Sequence, residues 1–173
     1  EAEEIAAAAV AAGDAGEVCD LANDNAPGQV VVSGSTATVE RAVEIAEERG
    51  VKRCVMLPVS APFHCSLMQP AADAMAHALA STIINPPSVP LIANVTADEV
   101  HVPEKIRNNL VAQVTGRVRW RESIMALKEK GVDTLVETGS GKVLSGLARR
   151  IDRELSTVSV QGPEDIENFL ASL

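Results

Sequence analysis

Three histidines, three cysteines and one Gly-Ser-Gly-Lys run carry most of the chemistry this sequence offers. His77 lies at helical spacing in a polar-faced helix and His101 in a loop, and both positions suit a solvated surface. His64 is different: it closes the run Pro58-Val59-Ser60-Ala61-Pro62-Phe63, just past a predicted strand, in a segment that two prolines stiffen. Ligands and catalytic groups collect at strand C-termini in α/β sheets. Position alone leaves His64 open between a structural and a catalytic histidine. Cys65 beside it invites a Cys–His nucleophile, but adjacent residues usually point apart. His64, Cys65 and His77 lack a recognised ligand spacing and a fourth partner, so no metal is expected. Gly139-Ser140-Gly141-Lys142 resembles a phosphate loop only superficially. Val136 stands where that loop needs glycine and Val143 follows the lysine, so a tight turn opening a helix is expected.

The elements that must position these groups fall into two stretches. Residues 1–13 are Ala- and Glu-rich and stop at Gly13, which predicts a helix. A short strand at 18–22, a dense turn signal at Asn23-Asp24-Asn25-Ala26-Pro27-Gly28 and a strand at 30–32 predict a hairpin. Ser35 or Thr36 caps a helix striped by Val39, Ala42, Val43 and Ala46, and residues 54–58 read as a third strand. The order α-β-β-α-β is a ferredoxin-like split motif lacking its first strand, assigned to residues 1–60. Beyond it, Met68, Ala71, Ala72, Met75 and Leu79 stripe a helix. A strand at 89–93, helices at 104–114 and 119–130, a strand at 134–137, a helix to about Asp152, a strand around Val158 and Val160 and a final helix follow. This alternation predicts a parallel sheet covered by helices over residues 61–173, and an α/β protein.

With 173 residues, 46% of them hydrophobic, the chain is long enough for one sizeable core. Aromatics are only 2% (Phe63, Trp120 and Phe169), so that core must be built from small aliphatic side chains. No window approaches the roughly 18 apolar residues that span a bilayer, and no membrane partner is expected. A net charge of −9 argues against a nucleic-acid partner, which needs a basic surface. The positive charge is nonetheless clustered: Lys52–Arg53, Arg117/Arg119/Arg121 and Arg149/Arg150/Arg153 hold 8 of the 15 lysines and arginines. These clusters read either as solvated surface or as docking for an acidic partner. Three cysteines without paired spacing suit reduced thiols in a cytoplasmic protein. A chain opening on Glu1 is expected to be part of something larger, or processed.

Four ordered stretches resemble one family. Pro58-Val59-Ser60-Ala61-Pro62-Phe63-His64-Cys65-Ser66-Leu67-Met68 is similar to the histidine motif of malonyl-CoA:acyl carrier protein transacylases. Asn23 to Gly34 resembles the family's Asn-rich hairpin, and Pro90-Leu91-Ile92-Ala93-Asn94-Val95 its next core strand. Glu137-Thr138-Gly139-Ser140-Gly141-Lys142-Val143-Leu144-Ser145-Gly146-Leu147 resembles its Gly-rich helix start, where proline is more usual than Ser140.

The resemblance implies a partial α/β-hydrolase-like parallel-sheet domain beside the ferredoxin-like subdomain. It also implies acyl transfer in fatty-acid synthesis by a Ser–His ping-pong mechanism without a cofactor, from malonyl-CoA to acyl carrier protein. His64 would be the general base and the Gln113 carbonyl would orient it, as an acid does in a triad. Phe63 would bias the acyl group accepted. Asn23 and Asn25 read as turn residues, or by the resemblance as substrate contacts. Lys52, Arg53, Arg149 and Arg150 would dock the acidic carrier. The sequence contains no Gly-x-Ser-x-Gly, so the nucleophile is expected on a missing N-terminal half, and this chain alone is expected to be inactive. Two alternatives stay open: an acyltransferase domain cut from a polyketide or fatty-acid synthase, and a non-catalytic carrier-binding fragment.

Overall fold

The computed structural model describes residues 1–172; Leu173, the last residue of the expected second unit, lies outside them. It begins with helix α1 (Ala2–Ala11), hairpin strands β1 (Cys19–Ala26) and β2 (Gln29–Gly34), and helix α2 (Thr36–Glu48). The two helices pack on the hairpin around Ile5, Ala6, Ala9, Cys19, Ala42 and Ala46. This is the small-side-chain core that the scarcity of aromatics requires. Burying an isoleucine is worth about 1.5–3 kcal/mol and an alanine much less, so the unit depends on close backbone approach. Gly34 meets that need: a Cβ there would fall 1.9 Å from the Val18 carbonyl oxygen. Ser35 does stand at the N-cap of α2, but its hydroxyl accepts the Val18 N–H at 3.2 Å and does not cap the helix.

Two strand expectations need correction. Residues 23–26, expected as turn, continue β1, and the turn itself shrinks to Pro27-Gly28, with Gly28 at φ +72°. Tertiary partners override the turn-forming composition. Asp24 N–H donates to the Val118 carbonyl at 2.9 Å and Val118 N–H to the Ala22 carbonyl at 2.8 Å, which makes residue 118 a parallel neighbour of β1. Residues 54–58 form no strand. Their apolar pattern suits one, but they pair with no strand of the described chain, and Val55, Met56 and Leu57 remain 57, 54 and 52% exposed.

After a 3₁₀ turn at Ser66–Met68, α3 (Gln69–Ala80) carries Pro70 in its first turn, where the missing N–H costs nothing. The strand expected at 89–93 is trimmed to β3 (Leu91–Ala93), and it pairs antiparallel with β4 (Asp98–Val100), which sequence patterning did not anticipate. Helices α4 (Pro103–Thr115) and α5 (Trp120–Glu129) follow. The expected parallel pairing appears between β5 (Thr134–Thr138) and β6 (Ser156–Val160), joined by α6 (Val143–Ile151), before α7 (Pro163–Leu170) closes the chain. No described helix is long and apolar enough to cross a membrane.

Candidate active site

The loop from 59 to 65 has no regular structure, so individual bonds set the pose of His64. Phe63 N–H donates to the Ala61 carbonyl at 3.0 Å, and the buried Cys65 thiol donates to the Pro62 carbonyl at 3.1 Å. Between them His64 adopts φ 60°, in the left-handed region. That conformation costs a non-glycine residue on the order of 1–2 kcal/mol and survives only where the surroundings hold it. Two residues on, the chain is fixed from outside: Ser66 N–H and hydroxyl donate to the Asp20 carboxylate at 3.0 and 3.2 Å.

His64 Nδ1 lies 2.8 Å from the Gln113 carbonyl oxygen. That carbonyl is available because α4 ends at Thr115, so its last carbonyls have no partner one turn further on. A carbonyl only accepts, which assigns the proton to Nδ1 and leaves a lone pair on Nε2 of the neutral ring. The arrangement can therefore abstract a proton at Nε2 without an aspartate behind the ring. Asn94 steadies the same residue, donating from Nδ2 to Gln113 Oε1 at 3.4 Å.

His64 lines a cavity of about 1010 Å³ whose walls include α1, the start of β1 with Asp20, and Arg117. Phe63 is 48% exposed beside the histidine but lines no part of that wall. Asn23 and Asn25 sit half-buried in β1 on the face opposite Asp24. They do not line the cavity, and the turn role expected for them is lost with the turn. Lys52, Arg53, Arg149 and Arg150 are exposed, and among the described residues none of the four pairs with a carboxylate. Arg150 instead donates to the Gln29 side chain, and Arg149 reaches the Thr157 carbonyl at 3.4 Å.

The middle basic cluster is engaged within the fold. Arg117 pairs with Glu3 at 2.6 Å, Arg119 with Glu122, and Arg121 with Asp24 at 2.7 Å. Hydrogen bonding to Arg119 holds the Glu122 carboxyl below the usual range. Burial, with Asp20 and Cys65 nearby, pushes the Cys19 thiol up to about 11, so it stays protonated at neutral pH. Cys65 is fully buried with its thiol bonded to a carbonyl, which leaves it no role as a nucleophile. The amides that open α6 are also taken: Glu137 accepts Leu144 and Ser145 N–H at 3.0 and 2.8 Å, which explains why the Gly-Ser-Gly-Lys turn offers no phosphate cradle. Among the described residues no three His, Cys, Asp or Glu side chains converge as metal ligands. Sequence reasoning missed Asp20 and the Asp24–Arg121 pair, since neither sits at a recognisable spacing from its partner.

Comparison with known proteins places this geometry. The Bacillus subtilis malonyl CoA-acyl carrier protein transacylase is 44% identical over 158 residues, covering 91% of this chain and 50% of that protein. The acyl-carrier-protein S-malonyltransferase of Bartonella henselae superposes with a TM-score of 0.91 at 51% identity, over 99% of this chain and 53% of that one. A malonyl-transacylase solved with its type II polyketide acyl-carrier protein superposes at 0.92 with 37% identity, over 99% and 54%. The chain thus spans about half the length of the relatives it matches. The family model described as the acyl transferase domain matches residues 5–159, and the chain belongs to that family.

Proposed function

We propose that this chain is the histidine-bearing C-terminal part of a malonyl-CoA:acyl carrier protein transacylase acting in fatty-acid synthesis, with residues 1–60 its small subdomain and 61–173 part of the larger one. The single observation that carries the reading is the 2.8 Å contact from His64 Nδ1 to the Gln113 carbonyl, which leaves Nε2 as a base at the wall of the large cavity. A serine hydroxyl outside this chain attacks the malonyl thioester and passes its proton to His64 Nε2. His64 returns that proton to the departing CoA thiolate, leaving a malonyl ester on the serine. In the second half-reaction His64 takes the proton of the carrier's phosphopantetheine thiol, the thiolate attacks the ester, and the serine regains its proton from His64.

The exposed apolar run Val55, Met56, Leu57 and Val59 supports a partner of fixed identity, the N-terminal half of the same enzyme. A segment facing only water would not ordinarily carry four such side chains. Free cysteines, two of the three buried, suit a cytoplasmic setting. Intact-mass spectrometry with peptide mapping, after brief exposure of the complete enzyme to malonyl-CoA, tests the reading. A malonyl adduct is expected outside this segment, and His64→Ala is expected to slow its formation by about 10²–10⁴-fold. An adduct within residues 1–173, or an undiminished rate in His64→Ala, would overturn it.

A further inference from the structure

We propose that Asp20 is a positioning residue for His64, acting through Ser66. The inference rests on the reading of His64 as the base, and it assigns to β1 a part in the site that the histidine motif does not contain.

The argument starts from what holds the loop. Among the described residues, the hydrogen-bond partners that residues 59–66 find outside residues 57–69 are two: the Gln113 carbonyl on His64, and the Asp20 carboxylate on Ser66. One fixes the ring and the other fixes the chain two residues further on. Asp20 is itself anchored, paired with Ser33 across the hairpin, next to Cys19 in the packed core. Its Oδ2 takes both donors that Ser66 offers, at 3.0 and 3.2 Å, at the first turn leading into α3, where a carboxylate is also favoured by the helix dipole. With the exit of the loop clamped, the left-handed φ of His64 persists. Without the clamp the backbone is free to relax toward the right-handed region, which carries the imidazole away from its bond to Gln113. Both Asp20 and Ser66 line the same cavity as His64, yet the Asp20 carboxylate is committed to Ser66 and is not presented to an incoming anion.

The test is single-turnover acylation of the complete enzyme by malonyl-CoA, read by intact mass. Asp20→Ala is expected to lower the maximal rate by roughly 10–100-fold, the scale of a misplacement of about 1 Å at a reacting group. The half-saturating malonyl-CoA concentration is expected to hold, since substrate contacts are not altered. Asp20→Asn keeps an oxygen that accepts from Ser66 and is expected to recover most of the loss. A folded Asp20→Ala enzyme with the wild-type maximal rate overturns the proposal, and so does an Asn variant as slow as the Ala one. If Asp20→Ala does not fold, Ser66→Ala carries the same test by removing the hydroxyl bond alone. A slowed maximal rate at unchanged half-saturation is then expected, and a wild-type rate overturns the clamp. His64→Ala run alongside separates the two readings. A wild-type rate in His64→Ala refutes the base itself, whereas a slow His64→Ala with an unimpaired Asp20→Ala refutes only the clamp.

Discussion

Removing Arg121 should weaken the fold more than its partly exposed position suggests. Its Nε donates to Asp24 Oδ1 and Oδ2 at 3.0 and 3.1 Å, and its Nη2 to Oδ2 at 2.7 Å, so the pair is forked. The Asp24 side chain is only 12% exposed, while Arg121 is 37% exposed. Breaking a fully buried pair costs about 3–5 kcal/mol, and an exposed pair is worth at most about 1. With the acid buried and the guanidinium partly wet, Arg121→Met should cost about 2–3 kcal/mol, mostly by stranding the carboxylate. Asp24→Asn keeps the shape and one acceptor and should cost about 1–2 kcal/mol. The double variant should lose less than the sum, by a coupling of about 1–2 kcal/mol. Urea unfolding of the complete enzyme reads these as shifts of midpoint at constant slope. A coupling below about 0.5 kcal/mol, within ordinary additivity error, would refute the claim that this pair secures β1 against α5. That junction matters for the site, because β1 holds Asp20 and bonds Val118, a few residues past Gln113.

Three further outcomes are expected. Hydrogen bonds from Ser145 and Leu144 hold the Glu137 carboxyl below its ordinary value. Its contribution is therefore complete above the unfolded glutamate value and is lost as pH falls through the lowered one. Glu137→Gln should flatten the acid side of Tm against pH, and an unchanged acid limb would refute the cap. Arg150→Glu should raise KM for the acyl carrier protein but not for malonyl-CoA, with the difference shrinking at high salt; equal rises would remove Arg150 from the docking face. Phe63→Ser should narrow the preference for malonyl over methylmalonyl transfer, within the roughly 1–3 kcal/mol that one methyl allows. An unaltered ratio would show that Phe63 does not set it.

The sequence carried the helices well because their signals are local. The Ala-rich start and the stripes at Val39, Ala42, Val43 and Ala46 and at Met68, Ala71, Ala72, Met75 and Leu79 each act within a few residues. It failed at three places where a distant partner decided. Residues 23–26 have turn composition but are held straight by Val118 and Arg121, almost a hundred positions away. Residues 54–58 have strand composition but pair with no strand of the described chain. Asp98-Glu99-Val100 lacks strand composition and is drawn into one by β3.

The same division runs through the site. His64 stood out because its side chain and its proline-rich setting are written in the residues themselves, although position alone left its role open and the family resemblance supplied it. The Gln113 contact is made by a main-chain oxygen, which has no side-chain signature, so only family resemblance pointed to it. Asp20 lay beyond both kinds of signal, since its partner is 46 positions away and no motif includes it. His64 thus depends on a loop with no regular structure, held in a costly backbone conformation by a helix end on one side and a hairpin strand on the other. A substitution that leaves the histidine motif intact but loosens β1 should consequently act on the maximal rate of proton transfer before it acts on substrate binding.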